Sequence, residues 1–473
     1  MVDPLVGKRA FGFTEISKTS YLLRETRRTD LRENPNSPAT RSMATIAATG
    51  RALTRRAAED SAMLTDPYYD PLLMGSPLRR RWVCKVISAA LLALLAFATL
   101  IQLSVVASMR PDMAGVFVKA LMLSSLLAVV PLAILWFLDR RERETPWLFA
   151  AAFLWGGCIA TALALPFNTA FFTLVDAWVA QHPAITLILG PNAAMMLAAP
   201  ISAPVVEELA KASGVLVIFW LLRAEFDNMR DGLVYGGLVG LGFNWSEAAL
   251  YVAQGYAESG VAPYGAQLGA RFALFGLGGH AMFTGLFGAS LGLAIQTRHR
   301  WLRILAPVVG IALAIAAHML NNALPLVVAL AGAAAGEYPG EYEPPADIGF
   351  LDGFVSGSLT QFAIFLPFLL IAALALWRSG VWERRVIREE LAGEVGRAVS
   401  PAEYQDIVHD RIFRTRRIKG MGRRASAALV NAQHELAFRK RRVRDEGKDP
   451  ELDRLANDWR GEIRRLRTTA LHG

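Results

Sequence analysis

Eight apolar runs, set apart by charged segments, limit what these 473 residues can fold into. A helix of about 20 apolar residues matches the hydrocarbon thickness of a bilayer. Within that thickness only helices and closed barrels satisfy their own backbone. The runs fall at 86–108, 117–138, 147–165, 186–222, 232–253, 271–295, 303–330 and 359–377. The expected fold is an all-α polytopic membrane protein of about eight transmembrane helices with a helical cytoplasmic tail. The fourth run is too long for one simple helix and too short for two with a loop. Pro191, Pro200 and Pro204 punctuate its first half, so a kinked or partly re-entrant segment is expected there.

Charge orders the rest of the chain. It is 53% hydrophobic yet carries a net charge of +9, which suits apolar spans joined by basic loops. The segments "RRRWVCK" (79–85), "DRRERE" (139–144), "LLRAEFDNMRDG" (221–232) and "QTRHRWLR" (296–303) all fall on the cytoplasmic side of an eight-span chain with both termini inside. The acidic loop "GEYPGEYEPPAD" (336–347) falls outside. Three regions follow. Residues 1–81 form a basic extension expected to be mostly disordered, with a short helix near "ATIAATGRALTRRAAED". Residues 82–377 form the membrane core, and residues 378–473 a basic, largely helical tail. The tail lacks a recognisable nucleic-acid module, so no specific nucleic acid is expected. Anionic lipid is the expected neighbour of its arginines. Cys84 and Cys158 offer neither a disulfide framework nor a cysteine metal motif.

Four of the apolar runs carry ionisable groups, at an insertion cost of about 2.5–3.5 kcal/mol for a charge at the centre. "EELAK" places Glu207 and Lys211 on one helical face, with Glu208 about 100° away. A self-neutralising Glu207–Lys211 pair leaves Glu208 without an explanation. "FNWSE" sets Phe243 and Glu247 one turn apart, with Asn244 beside them. His280 stands in "GGHAMF" and His318 in "HMLNN", where Asn322 lies one turn on and Asn321 also reaches inward. Each group alone has a structural explanation as a helix-to-helix hydrogen bond. Together they point to one hydrated cavity. Two imidazoles and a carboxylate make a hydrolytic zinc site, with a further carboxylate to move the proton. His280, His318 and Glu247 are the expected ligands, and Glu207 or Glu208 the base. Asn322 then steadies an oxyanion or orients a ligand, and Lys211 holds the glutamates ionised. Zn²⁺ is the default metal by ligand type, and other divalent ions suit the same donors.

At these residues the chain resembles the PrsW family of intramembrane metalloproteases, within the superfamily that includes Rce1-type CAAX-prenyl endopeptidases. The pattern E-E-x-x-K matches Glu207, Glu208 and Lys211, and F-x-x-x-E matches Phe243 and Glu247. Two later histidines correspond to His280 and His318, and H-x-x-x-N of the prenyl-protease relatives matches His318 and Asn322. The resemblance covers about residues 115–330. In the prenyl-protease branch a histidine stands where this chain has Glu247, which sides the chain with the PrsW branch. The resemblance implies cleavage of a membrane-associated protein substrate in a bacterial inner or plasma membrane. Competing readings are an ion- or proton-coupled transporter, or a non-catalytic membrane scaffold. No H-E-x-x-H, rhomboid-like G-x-S-G or paired membrane aspartates support another protease chemistry.

Overall fold

The computed structural model describes residues 75–108, 111–139, 146–222, 226–337, 349–409, 418 and 421–472. Most of the basic N-terminal extension, with its expected short helix, lies outside the described residues. The described chain is helical, without a β-strand. Its helices are α1 (Arg81–Ser108), α2 (Pro111–Leu138), α3 (Pro146–Ala180), α4 (Pro183–Leu189), α5 (Ala193–Ala198), α6 (Ser202–Leu221) and α7 (Met229–Ser259). They continue as α8 (Tyr264–Phe272), α9 (His280–Gln296), α10 (Arg300–Ala334), α11 (Phe350–Ala392), α12 (Pro401–Val408), α13 (Arg423–Asp445) and α14 (Arg454–His472).

Among the described residues five helices, not about eight, are long and apolar enough to cross a membrane: α1, α2, α3, α10 and α11. The other three runs counted from hydropathy became α6, α7 and α9, and the reason is physical. Helices α7 and α9 are enclosed largely by protein, and α6 turns one face inward while Leu209, Leu216 and Trp220 stay exposed, so unbroken apolarity is not required of them. The α6 helix carries Glu207, Glu208 and Lys211, all buried. The α9 helix has only 17 residues. The α7 helix is buried along most of its length, from Asp231 to Ala253. The proline-punctuated run breaks as expected, into the short helices α4 and α5 ahead of α6.

Glycine lets these inner helices touch backbone to backbone. A Cβ on Gly232, Gly236 or Gly240 of α7 would meet the carbonyl oxygens of Gly288, Thr284 and His280 at 1.9, 2.3 and 2.0 Å. This is the small-x-x-x-small contact of membrane helices. On the opposite side a Cβ on Gly242 would meet the Phe153 carbonyl oxygen at 1.8 Å, so α3 packs as closely. That stretch of α3 widens into a π-helical turn, Trp155–Ala160. Its carbonyls are taken up from the side: Gln102 donates to Gly157 O at 2.8 Å and Thr161 to Gly156 O at 3.0 Å.

At one end of the bundle α11 continues past residue 377, and the tail packs on that extension. Trp382 stacks on Phe438 at 5.8 Å, over a small core of Leu429, Leu436, Trp459 and Ile463. Arg442 reaches the Phe226 carbonyl and the Asp227 carboxylate just ahead of α7. Arg230, in the first turn of α7, pairs with Glu383 of α11 at 2.8 Å.

Candidate metal centre

Three inner helices and α10 bring the charged residues of the core together. Helix α7 starts from a capping box in which Asn228 accepts from the backbone of Arg230 and Asp231. Four turns on, Asn244 holds the chain entering α9. Its Nδ2 donates to the carbonyls of Arg271 and Gly278, and its Oδ1 accepts from the His280 N–H. Gly279, at φ 57°, makes the turn that a side chain would resist. His280 therefore begins α9 at a fixed place opposite α6.

Glu207, His280 and His318 present donor atoms that all lie within 4.8 Å of one another, and all three residues are buried. Glu207 Oε2 lies 3.9 Å from Nε2 of each histidine. That oxygen has no hydrogen-bond partner. A buried carboxylate oxygen without a donor is costly, and an ion beside it is one remedy. Tetrahedral zinc, at about 2.0–2.1 Å from N and O, needs donors roughly 3.4 Å apart. Two of the three edges close from 3.9 Å by a few tenths of an ångström per side chain and the third lies within 4.8 Å, so a small inward movement suits the set to a divalent ion.

The outer contacts suit that role. His318 Nδ1 donates to Glu208 Oε1 at 3.0 Å, which turns the Nε2 lone pair toward Glu207. Asn322 Nδ2 also lies 3.1 Å from that Nε2 and donates to the Ala199 carbonyl. Phe283 stacks flat on the His318 ring at 5.0 Å. Glu207 Oε1 accepts from Asn168 Nδ2 at 3.0 Å, and Ser202 donates to Asn168 Oδ1 at 2.7 Å. By the hydrogen-bond network His280 carries its hydrogen on Nε2, because Nδ1 sits 2.5 Å from the Lys211 ammonium. Nε2 donates to Glu247 Oε2 at 2.9 Å. To hold an ion at Nε2 the neutral ring would take its other tautomer, with the hydrogen on Nδ1.

The glutamates divide by direction. Glu208 is held on the far side of His318: Lys211 reaches Oε1 at 2.7 Å, and Thr284 donates to Oε2 at 3.2 Å. Glu207 and Glu247 instead open into a cleft of about 240 Å³, lined also by Asn168, Ser202, Phe243 and Tyr251. Glu247 is anchored by Arg271 at 3.0 Å, which lies over the Tyr251 ring. Lys211 is fully buried and lies over the Phe243 ring at 4.2 Å. Every site residue singled out from the sequence thus falls in one network. The three convergent donors include Glu207, whereas Glu247 touches His280 from the cleft side.

Sequence reasoning missed Asn168, Ser202, Arg271 and Thr284. Asn168 did carry a signal, as a lone amide inside the apolar run "ALALPFNTAFF". Thr284 and Ser202 did not, since hydroxyls are common at membrane helix contacts.

Residues 144–339 match the family model described as PrsW family intramembrane metalloprotease. The match spans less than half of the chain and contains every residue of the cluster. No curated protein and no solved structure gives a match. The family match and the buried Glu207–His280–His318 cluster together support an integral membrane enzyme that depends on a metal ion.

Proposed function

We propose that this chain, with its PrsW-family domain over residues 144–339, uses zinc to hydrolyse peptide bonds of a membrane-associated protein substrate. The observation that carries this reading is Glu207 Oε2, which accepts no hydrogen bond, lies 3.8 Å from the Lys211 ammonium and stands equidistant from His280 and His318 at the floor of a cleft. Glu207, His280 and His318 would hold the ion. Bound there, it supplies Lewis-acid polarisation of a carbonyl or a water.

The remaining steps belong to the chain's own side chains. Glu247 lines the cleft beside the ligand cluster, with Arg271 fixing its Oε2. Its free oxygen accepts the proton of the attacking water and returns it to the departing amine. Glu208 holds His318 through Nδ1, and Asn322, now 3.1 Å from Nε2, would yield that nitrogen to the ion and keep the Ala199 carbonyl. Lys211 balances the carboxylates, which keeps a site rich in glutamate tolerable at depth. The cleft walls, with Ala164, Leu165, Phe172 and Leu250, offer an apolar bed for an extended segment of substrate. By its basic loops the tail end of the bundle faces the cytoplasm of a bacterial cell.

Two variants separate ligand from base. Glu207→Gln should lose the zinc that wild-type protein retains in detergent. Glu247→Gln should retain zinc and lose hydrolysis of a quenched membrane-peptide library by about 100-fold or more. Full zinc in Glu207→Gln, or full hydrolysis in Glu247→Gln, would overturn the assignment.

A further inference from the structure

A second cavity, larger than the catalytic cleft, lies at the opposite end of the same helices, independent of the proteolytic reading. Its volume is about 860 Å³. One wall is apolar and comes from the membrane core: Phe219 of α6 with Leu291, Ala294 and Ile295 of α9. The other wall is basic: Arg79 and Arg80 ahead of α1, Arg303 of α10, and Arg439, Arg442 and Arg454 of the tail.

Acidic residues also line it, but each already has a cation. Asp453 is held bidentately by Arg439 at 2.9 and 2.7 Å, and Asp445 by Arg441 at 3.0 Å. Glu446 takes Lys448 at 2.7 Å, and Asp458 lies 3.9 Å from Arg454. Arg442 goes to Asp227. Arg80 and Arg303 remain, and among the described residues neither forms an ion pair; Arg303 donates only to the Thr297 carbonyl. The cavity therefore carries uncompensated positive charge against an apolar wall.

Its depth is marked independently. Trp82, Trp220 and Trp301 are 66%, 66% and 62% exposed, and each stands within two residues of a lining residue: Arg80, Phe219 and Arg303. Exposed tryptophans collect at the headgroup level of a bilayer. A mouth at that level meets phosphate groups and the first methylenes of lipid chains together.

We infer that this cavity binds one anionic phospholipid, with its phosphate at Arg80 and Arg303 and its chains along Phe219, Leu291 and Ile295. Its walls come from the helices that carry Glu207 and His280 and from the tail, so an occupying lipid joins the two regions.

The test is native mass spectrometry of the full chain, delipidated in detergent and titrated with dioleoyl phosphatidylglycerol. Dioleoyl phosphatidylcholine and glycerol 1-phosphate are run alongside. One saturable phosphatidylglycerol adduct is expected, with phosphatidylcholine at least about tenfold weaker. At about 1 kcal/mol per basic residue near a membrane surface, Arg80→Ala/Arg303→Ala should weaken the adduct by roughly 30-fold. The exposed pair Arg298→Ala/Arg300→Ala, outside the cavity, should leave it unchanged. Equal binding of both lipids, or an unaltered adduct in Arg80→Ala/Arg303→Ala, would overturn the inference. Displacement by glycerol 1-phosphate at equal concentration would also overturn it, in favour of a soluble phosphate ligand.

Discussion

The membrane core and the outer face of the tail use the same charged residue types in opposite ways. In the core Lys211 is fully buried and touches Glu208, His280 and the Phe243 ring at once. In the tail Arg397 meets Glu451 at 3.0 Å with both side chains about half exposed, 57% and 46%. An exposed pair is worth at most about 1 kcal/mol, because water screens it and the side chains lose freedom. A buried charge without its partner costs about 3–5 kcal/mol. Charge in the core is therefore a structural commitment, and on the tail's outer face a surface property; only the tail's buried cluster of Glu394, Lys440 and Arg460 follows the pattern of the core. The two regions should respond differently when disturbed.

The core should break most completely where its backbones touch. Gly240→Ala sets a methyl 2.0 Å from the His280 carbonyl oxygen. Neither helix can yield without moving a site residue, so a loss of roughly 4 kcal/mol or more is expected. Thermal unfolding in detergent and zinc content should fall together. A variant with wild-type melting and metal would refute the close contact. Gly447→Ala, in an open turn of the tail, is the counterpart. Its φ of 76° carries a strain of about 1 kcal/mol and no clash.

Next in size is charge removal. Lys211→Met leaves Glu208 buried with only neutral donors, and should cost about 3–5 kcal/mol. Arg397→Ala should cost less than about 1 kcal/mol. Equal melting shifts for the two variants would erase the contrast between the regions.

These expectations show what the sequence carried. The motif residues Glu207, Glu208, Lys211, Glu247, His280 and His318 were legible because charge is conspicuous against apolar surroundings. Span number was not. Hydropathy counted α6, α7 and α9 with the lipid-facing helices, since apolar residues serve burial in protein and in lipid alike. The glycine spacing of 232, 236 and 240 held a clue to their enclosure. Which carboxylate lies toward the Nε2 atoms of the histidines and which toward Nδ1 was also hidden. Glu207 and Glu208 are neighbours in sequence, and the packing of α6 against α9 and α10 alone decides that Glu208 turns behind His318.

A smaller effect is expected one residue removed from the proposed metal ligands. Asn168 Nδ2 donates to Glu207 Oε1, and Ser202 holds Asn168 in turn. Outer contacts of this kind typically change metal affinity by about 10–100-fold. Asn168→Ala should weaken zinc binding within that range, read by competition with a fluorescent chelator, at nearly unchanged melting temperature. Unchanged affinity would place Glu207 outside the ligand set.

The tail gives the smallest response, and acid should reveal it. Burial favours the protonated form of Glu394, but hydrogen bonds from Arg460 and Lys440 outweigh it and hold the carboxyl below its ordinary value. Arg439 does the same for Asp453. A carboxyl depressed in the folded state adds stability above its unfolded pKa, and that stability is lost as pH falls through the folded value. Asp227, pushed upward by burial despite Arg442, acts in the opposite sense and becomes easier to bury on protonation. The balance should leave α13 and α14 docked at neutral pH and loosened once the pH falls below the ordinary carboxylate range. Hydrogen exchange of residues 423–472, corrected for its intrinsic pH dependence, should show protection falling there first. Glu394→Gln should start from lower protection at pH 7 and change less on acidification. If wild type and Glu394→Gln follow the same pH profile, the tail is held by its Trp382–Phe438 packing rather than by charge.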